Sequence, residues 1–399
     1  MKNSISKSNR ALRILVVFLY VMATLGAVIS LTGCNSGKVD VITYEDSKTW
    51  FHEDLVCIVI DGKYGYVDKT GKTVIEPKYD YAYSFYNGLA AVVVKDSDGV
   101  LKYGFIDKSG KYVVEPKYER AGNFTDSLAP VRLMGMYGFI DTTGKLVVTN
   151  RFDSANSFSE GLAMVRINGK CGFIDKTGAI VVNPVYDAAG DFNDGLAVVM
   201  KDMKFGFVDK EGKEVIGLQF DYAFSFNDGV ASVMVNGKYG FIDKTGKLIV
   251  NAQYDYLHYY SDGIALFTIN SRMGFIDKEG NIVVNPLYDD ALPSTEGLIA
   301  VDMMGKWGFI DTTGKVVVSL DYDKCYQFSD GLAMVRLGSK VGYVDKTGKL
   351  VIGFNFDDGF EFHEGLAIVL VDGKFGFIDK TGKFVIEPKF DDFHSYLED

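Results

Sequence analysis

Histidine, cysteine, tryptophan and proline are scarce in this chain of 399 residues, at four, four, two and seven. The scarcity excludes several kinds of site. No HExxH pairing occurs among His52, His258, His363 and His394. His52 and His363 share one variable place in a repeat, about nine units apart, and read as surface variation. Cys34 aside, Cys57, Cys171 and Cys325 form an odd set in the first, fourth and eighth repeats. A linear array in which each unit touches only its neighbours brings none of them together, so no disulfide framework is expected. Cys325 takes a slot filled elsewhere by Ala82, Ala121, Ala155, Ala189, Ala223 and Ala291, as a small buried residue does. A Gly-rich phosphate loop before a helix and a Gly-x-Ser-x-Gly elbow are also missing. No unit breaks the pattern with several catalytic residue types at once, so neither enzymatic activity, cofactor nor metal is expected.

Excess positive charge is another absence: the net charge is −11. Residues 1–33 hold Lys2, Lys7, Arg10 and Arg13 and no acid, so without them it becomes −11 − 4 = −15. So acidic a chain is a poor nucleic-acid binder. The leader itself reads as a secretory signal, with its basic residues followed by an apolar run from Ile14 to Ser30 and small residues. Leu31-Thr32-Gly33-Cys34 resembles the lipobox of bacterial lipoproteins. That resemblance implies lipidation at Cys34, a membrane anchor and an extracytoplasmic place in a bacterial cell envelope. An uncleaved transmembrane anchor is the alternative, since the apolar run is about long enough to span. Residues 34–50 then form the lipidated N-terminus and a polar tether, and 51–399 hold ten repeats.

Those repeats dominate the chain. A Gly-aromatic pair returns at Gly65, Gly104, Gly138, Gly172, Gly206, Gly240, Gly274, Gly308, Gly342 and Gly376, and after one gap of 39 the period is 34 residues. Units of this size cannot bury their apolar faces alone and stack on neighbours. Each carries three runs rich in β-branched and aromatic residues, which predicts a three-stranded antiparallel meander. Asn-Gly or Asp-Gly marks the first hairpin, as at Asp61-Gly62 and Asn236-Gly237. Asp-x-x-Gly marks the second, from Asp68/Gly71 to Asp379/Gly382; its Asp accepts backbone N–H groups and its Gly takes the left-handed position. One carboxylate per turn does not make a calcium ladder, which needs six to eight converging oxygens. Asp96-Ser-Asp-Gly99, in the unit behind the 39-residue gap, reads as a solvated hairpin tip.

Pro77, Pro116, Pro184, Pro286 and Pro388 then end the third run. An aromatic-acidic-x-small stretch and Phe-x-x-Gly follow (Phe85, Phe124, Phe192, Phe226, Phe328, Phe362), expected to be a crossover that docks one unit on the next. The fold class expected is all-β, with tandem repeats of about 34 residues in an open solenoid or superhelical array. A closed propeller-like ring is the alternative. Thirty-four residues is short for a propeller blade, and the two ends show no visible sharing of strands. Sheets stacked about 10 Å apart would make a body roughly 100 Å long.

These residues resemble the bacterial WG-repeat (KWG) family, whose unit runs Gly-Lys-Trp-Gly-Tyr/Phe-Ile-Asp, a Gly turn, aromatic-Asp, then Phe-x-x-Gly-Leu-Ala-x-Val. The likeness covers about Phe51 to Asp391. Lys306-Trp307-Gly308 alone keeps the tryptophan; Tyr64, Tyr103, Tyr137, Cys171, Phe205, Tyr239, Met273, Val341 and Phe375 replace it. The resemblance implies β-rich repeats, often at bacterial cell surfaces, and no general enzymatic activity. The function expected is a non-catalytic scaffold binding protein or glycan. Tyr81, Tyr83, Tyr222, Tyr256, Tyr259, Tyr260 and Trp307 are the candidate contact residues. An envelope-organising spacer is the alternative and a hydrolase a third reading.

Overall fold

The computed structural model describes residues 50–393. The signal sequence read over 1–33, Cys34, and the 34–50 tether as far as residue 49 lie outside them. The body over Phe51–His394 forms ten four-stranded antiparallel sheets. The expected three strands per unit were one too few. The aromatic-acidic-x-small stretch is itself a strand, in most blades only two residues long, as at Arg120–Ala121 and Tyr222–Ala223. It pairs with the Leu-Ala-x-Val strand that follows, Ala223 opposite Val233 and Ala121 opposite Val131. The Phe-x-x-Gly element is the hairpin between them. Its last two residues adopt positive φ, as at Asp228 (51°) and Gly229 (81°), matching the primed turns that suit twisted hairpins.

The array closes on itself, which overturns the open solenoid and the extended rod. Asp392–Phe393 adds the missing first strand to the sheet of Leu55–Ile60, Lys63–Asp68 and Thr73–Tyr79, pairing Phe393 with Ile58 and Asp392 with Val59. Blade 1 is therefore composite. Its first strand comes from the far end of the chain, its first hairpin from Phe51–Asp54. Blades 2 to 10 follow in order, opening at Tyr81, Arg120, Ser154, Ala188, Tyr222, Tyr256, Asp290, Lys324 and Asp358. The shared strand escaped notice because two residues carry no periodicity, and one residue joins each fourth strand to the next blade. Closure also makes His363 and His52, nine units apart in sequence, occupants of adjacent blades, 10 and 1. Cys57, Cys171 and Cys325 sit buried and unpaired in blades 1, 4 and 9.

The recurring Gly has a geometric cause. Between Phe309↔Val318 and Trp307↔Tyr322 the fourth strand spends four residues against two on the third. The excess arches over Gly308, where an added Cβ would lie 2.6 Å from Val318 O and Ser319 O. All ten glycines of this set would place a Cβ within 2.7 Å of a fourth-strand carbonyl.

Blades cohere through an aromatic ladder. The ring after that Gly meets the Phe of the next blade's hairpin: Phe105–Phe124 at 4.9 Å, Phe139–Phe158 at 5.0 Å, Phe207–Phe226 at 4.7 Å, Phe309–Phe328 at 4.7 Å. Phe377–Phe51 at 5.5 Å continues it across the closing seam. Between blades 7 and 8 the partner of Phe275 is Ser294, whose buried Oγ finds no hydrogen-bond partner. A ring pair is worth about 0.5–1.5 kcal/mol beyond its buried area. Ser294→Phe is accordingly expected to raise the urea midpoint of the whole ring. An unchanged or lowered midpoint would show that neighbouring residues already fill the gap.

Candidate functional site

Two circuits of ion pairs run around the ring, one on each face. In an antiparallel blade the first and third turns share one end; the second turn and the link to the next blade share the other. On the first face the acid of each opening hairpin meets the Lys of the next blade's Asp-Lys-x-Gly turn: Glu53–Lys108 (3.1 Å), Glu160–Lys210 (3.0 Å), Asp194–Lys244 (2.6 Å), Glu296–Lys346 (3.0 Å), and Glu364–Lys69 (2.8 Å) over the seam. Two junctions break the rule, Asn87 with Thr142 and Asp262 with Thr312. On the second face the Asp linking two blades pairs with the preceding blade's cation, as in Lys63–Asp80 and Lys306–Asp323, both 2.7 Å, except that Glu119 turns to Arg132 of the following blade and Met136 takes the cation's place before Asp153. The same Asp accepts a backbone N–H of its own blade, Asp80 from Lys95 (2.8 Å) and Asp323 from Gly338 (2.7 Å). Asp391 repeats this at closure, pairing with Lys374 and accepting from Asp61 N at 2.7 Å.

Exposed pairs of this kind contribute little stability each; they set blade registration. The Lys partner and the backbone N–H hold Asp80, Asp323 and Asp391 below the ordinary carboxylate range. A depressed pKa contributes stability that is present above the unfolded value near 4 and is lost as pH falls through the folded value. The melting temperature is therefore expected to fall as pH drops below about 4. A flat profile over that range would remove these links from the account. The Asp-x-x-Gly carboxylates stay local: Asp68 Oδ1 accepts from Thr70 N (2.9 Å), Thr70 Oγ1 (2.6 Å) and Lys72 N (3.1 Å). Asp96 does the same for Asp98 N and Val100 N at the longer hairpin tip.

Successive blades approach most closely along their first strands. Just past the openers a single side chain bridges neighbouring blades: Ser157 Oγ reaches Asn123 O (3.5 Å) and Gln327 Nε2 reaches Pro293 O (3.1 Å) at equivalent positions, and Asn156 Nδ2 reaches Asp191 Oδ1 (3.0 Å) one place on. At the fourth strands it takes an aromatic ring, as with Tyr79 and Tyr112 at 6.3 Å. Blades that converge at one edge and splay at the other put the first strand at the axis. Apart from the recurring Ala, the positions from its opener to the hairpin are the least repetitive in the unit, so they give the ring its sectors. Asp191 and Glu361 share one such place in blades 5 and 10, and burial raises both carboxyls.

The tryptophan slot of the repeat lies against the residue that opens the next blade: Tyr64–Tyr81 at 4.7 Å, Phe205–Tyr222 at 5.0 Å, Tyr239–Tyr256 at 5.6 Å. Trp307 is 4% exposed, with Lys324 Nζ 3.6 Å from its ring centroid, so it is a packing residue. Burial lowers the Lys324 pKa, partly offset by Asp290 at 3.9 Å. Tyr222 is likewise buried, its hydroxyl pushed up to about 12 by desolvation. Tyr256 is half-buried beside the buried Tyr239, Tyr259 lies against His258 at 3.9 Å, and Tyr260 lies under Lys278 at 5.0 Å.

Tyr81 and Tyr83 form the more open group. They run from Tyr64 through Tyr81 and Tyr83 (5.0 Å) to Tyr103 (6.2 Å), all partly buried, with Tyr64, Tyr83 and Tyr103 resting one side against the core. The structure thus divides the candidates: Tyr81 and Tyr83 come together, Tyr222 and Tyr256 join a mostly buried cluster, and Trp307 stands apart. Sequence reasoning missed Arg120, which opens blade 3 beside this group and faces Arg132 across the strands. The signal was available, because Arg120 fills a slot that holds Tyr81, Ser154, Ala188 and Tyr222 elsewhere.

Ten four-stranded blades closed by a shared strand define a β-propeller. The sequence carries ten matches to the WG containing repeat, over residues 64–96, 103–135, 137–171, 172–204, 205–239, 239–272, 273–307, 307–340, 342–375 and 375–399, and the chain belongs to that family. No curated protein sequence matches it. Among solved structures it is similar to Hsv2 of Kluyvelomyces marxianus (10% identity, TM-score 0.35, covering 57% of this chain and 93% of that one). It is also similar to the dihydro-heme d1 dehydrogenase NirN (13%, 0.34, 65% and 71%). A third is the extracellular domain of the putative one component system BT4673 of B. thetaiotaomicron (9%, 0.25, 83% and 59%). Likeness of this degree says nothing about ligand or activity.

Proposed function

We propose that this propeller is a non-catalytic binding scaffold, anchored by lipid at Cys34 on the extracytoplasmic side of a bacterial envelope, that presents its first-strand edge to a protein or glycan. The observation that carries the reading is the division of labour within the unit. The Gly, Phe, Ala and turn-Asp positions repeat and serve folding, whereas the positions flanking that Ala along the first-strand edge vary from blade to blade and hold Tyr81 and Tyr83, both partly buried. Variation confined to one edge of a uniform frame is how repeat proteins build binding surfaces. The signal-like leader and the lipobox resemblance support the anchor. The spacer alternative loses support with closure, because a ring does not lengthen in proportion to its units. Catalysis has no support from any unit that gathers acid, base and nucleophile.

Two measurements test this. Metabolic labelling with a fatty-acid analogue should mark the wild-type chain and not Cys34→Ala; equal labelling would refute the anchor. A glycan array and an envelope pull-down with the purified protein should give at least one ligand whose binding falls with substitutions along the first strands. Silence in both would leave a scaffold without cargo and end the reading.

A further inference from the structure

Arg120 is the outlier of the axial edge. It is half-buried, opens blade 3, and stands directly across the strands from a second guanidinium, Arg132. Like charges opposed in this way are unfavourable. Arg132 has company: Glu119 at 3.6 Å, Gly135 O at 3.2 Å and the Tyr137 ring at 6.0 Å. Arg120 has no carboxylate or carbonyl acceptor within bonding distance in the described structure. Each of the other first-strand charges that open a blade is answered: Asp290 by Lys324, Asp358 by Arg336 at 2.5 Å, and Asp392 by the N–H of Phe393 at 2.8 Å. The unanswered cation therefore sits in a chain of net charge −11, whose acids would readily have supplied a partner.

Beside it lie the partly buried tyrosines. Tyr103 occupies the slot that faces the opener of blade 3, the place Trp307 takes beneath Lys324. Tyr83 stacks near Tyr103 with 29° between the ring planes, and Tyr81 and Tyr64 continue the row into blade 1. Tyrosine combines a flat apolar face with a polar tip, and guanidinium matches carboxylate or sulfate in a two-pronged fork. A row of such faces ending at an unpaired guanidinium suits a chain of pyranose rings that carries anionic groups. An apolar peptide would leave the guanidinium's charge uncompensated, and a neutral sugar, though its hydroxyls accept hydrogen bonds, would do the same.

We infer that the edge of blades 1 to 3 around Arg120 binds an acidic saccharide, with Tyr81 and Tyr83 of a first strand and Tyr64 and Tyr103 of the adjoining third strands stacking its rings and Arg120 pairing with its carboxylate or sulfate. The inference rests on the scaffold reading and deepens it by naming site and ligand class. Glu119 and Arg132 hold the local geometry: the Glu119 carboxylate accepts from Gly135 N at 3.1 Å and keeps Arg132 turned toward its own hairpin.

The test is calorimetric titration of the full-length protein in detergent with trigalacturonate, a sulfated disaccharide, maltotriose, acetate and an oligoglutamate peptide. Trigalacturonate or the sulfated sugar should bind, with the stronger of the two identifying the anion. Maltotriose should bind at least tenfold more weakly, and acetate should give no measurable heat. Arg120→Gln should weaken the anionic sugar by roughly tenfold, the worth of a charge-assisted hydrogen bond, and should flatten its salt dependence. Tyr83→Ala should weaken both sugars, while Tyr222→Ala, in the buried cluster, serves as a control for general loosening. Unchanged affinity in Arg120→Gln, or no binding of either anionic sugar, overturns the site. If oligoglutamate binds as tightly as trigalacturonate, the site reads carboxylates on a protein and the saccharide assignment is wrong. A glycan-array hit that survives Arg120→Gln would leave the scaffold standing while the site falls.

Discussion

Gly308→Ala is expected to stop the chain from reaching its native state, or to cost on the order of 4 kcal/mol or more if it folds. The new methyl would stand 2.6 Å from two carbonyl oxygens, Val318 O and Ser319 O. Both belong to a strand already held by its pairing with Lys306–Asp311, so no flexible side-chain end can swing aside. Moving that strand would also shift Val318 in the core and the fourth-strand end that leads into blade 9. Gly305, three residues earlier, supplies the control. Its φ of +77° strains an alanine, but nothing lies within 4 Å of the added Cβ. Gly305→Ala should therefore cost only about 1 kcal/mol. Urea unfolding of both variants checks the pair. Comparable losses would mean that backbone conformation, not the close approach of the fourth strand, explains the recurring Gly.

Removal of residues 391–399 is expected to open the ring. The deletion takes away the first strand of blade 1, the Asp391 N–H bond to Val59 O at 3.0 Å, and Phe393, which is 5% exposed between Phe360 and Phe375 at 5.0 Å each. Truncating a buried Phe alone costs about 3–5 kcal/mol, so Phe393→Ala should already lower the unfolding midpoint substantially. The full deletion also bares the apolar edge of Leu55–Ile60, and an unpaired edge recruits other chains. Size-exclusion chromatography should then show self-association. A monomeric deletion variant with a native midpoint would mean that the seam is not needed. A circular permutant separates closure from sequence. Other blades place two residues between the Ala and Phe slots, as with Tyr83-Ser84, so a two-residue linker should join Phe393 to Phe51. New ends opened at Phe224-Ser225 should restore a stable ring.

Much of the unit could be read directly. The ten glycines, the Asn-Gly and Asp-x-x-Gly turns and the long strands were legible because turn chemistry and side-chain alternation are local. Asp68 and its turn-mates bond their own backbone, as expected for that pattern. The first strand was not legible. Two residues such as Tyr222-Ala223 offer no alternation, and their role as a strand depends on Val233 lying opposite. The nearness of the blades holding His52 and His363 was hidden for a related reason. Their separation in sequence is nearly the whole chain, while closure places their blades side by side.

At the candidate site, Tyr81 and Tyr83 were identifiable as non-core rings, but Trp307 and Tyr222 were not identifiable as buried. Their burial comes from Lys324 and Phe205 of adjacent blades, contacts between blades that no reading of one unit can place. Arg120 was passed over because a lone arginine in a repeat looks like surface drift until its neighbours are known. By itself the sequence determined the unit, its period, its turns and its family, since these depend on interactions within about a dozen residues. Only the tertiary structure decided between rod and ring, and which variable residues share an edge. Those outcomes turn on the angle at which one blade meets the next, and that angle is the sum of many small packing contacts rather than of any motif.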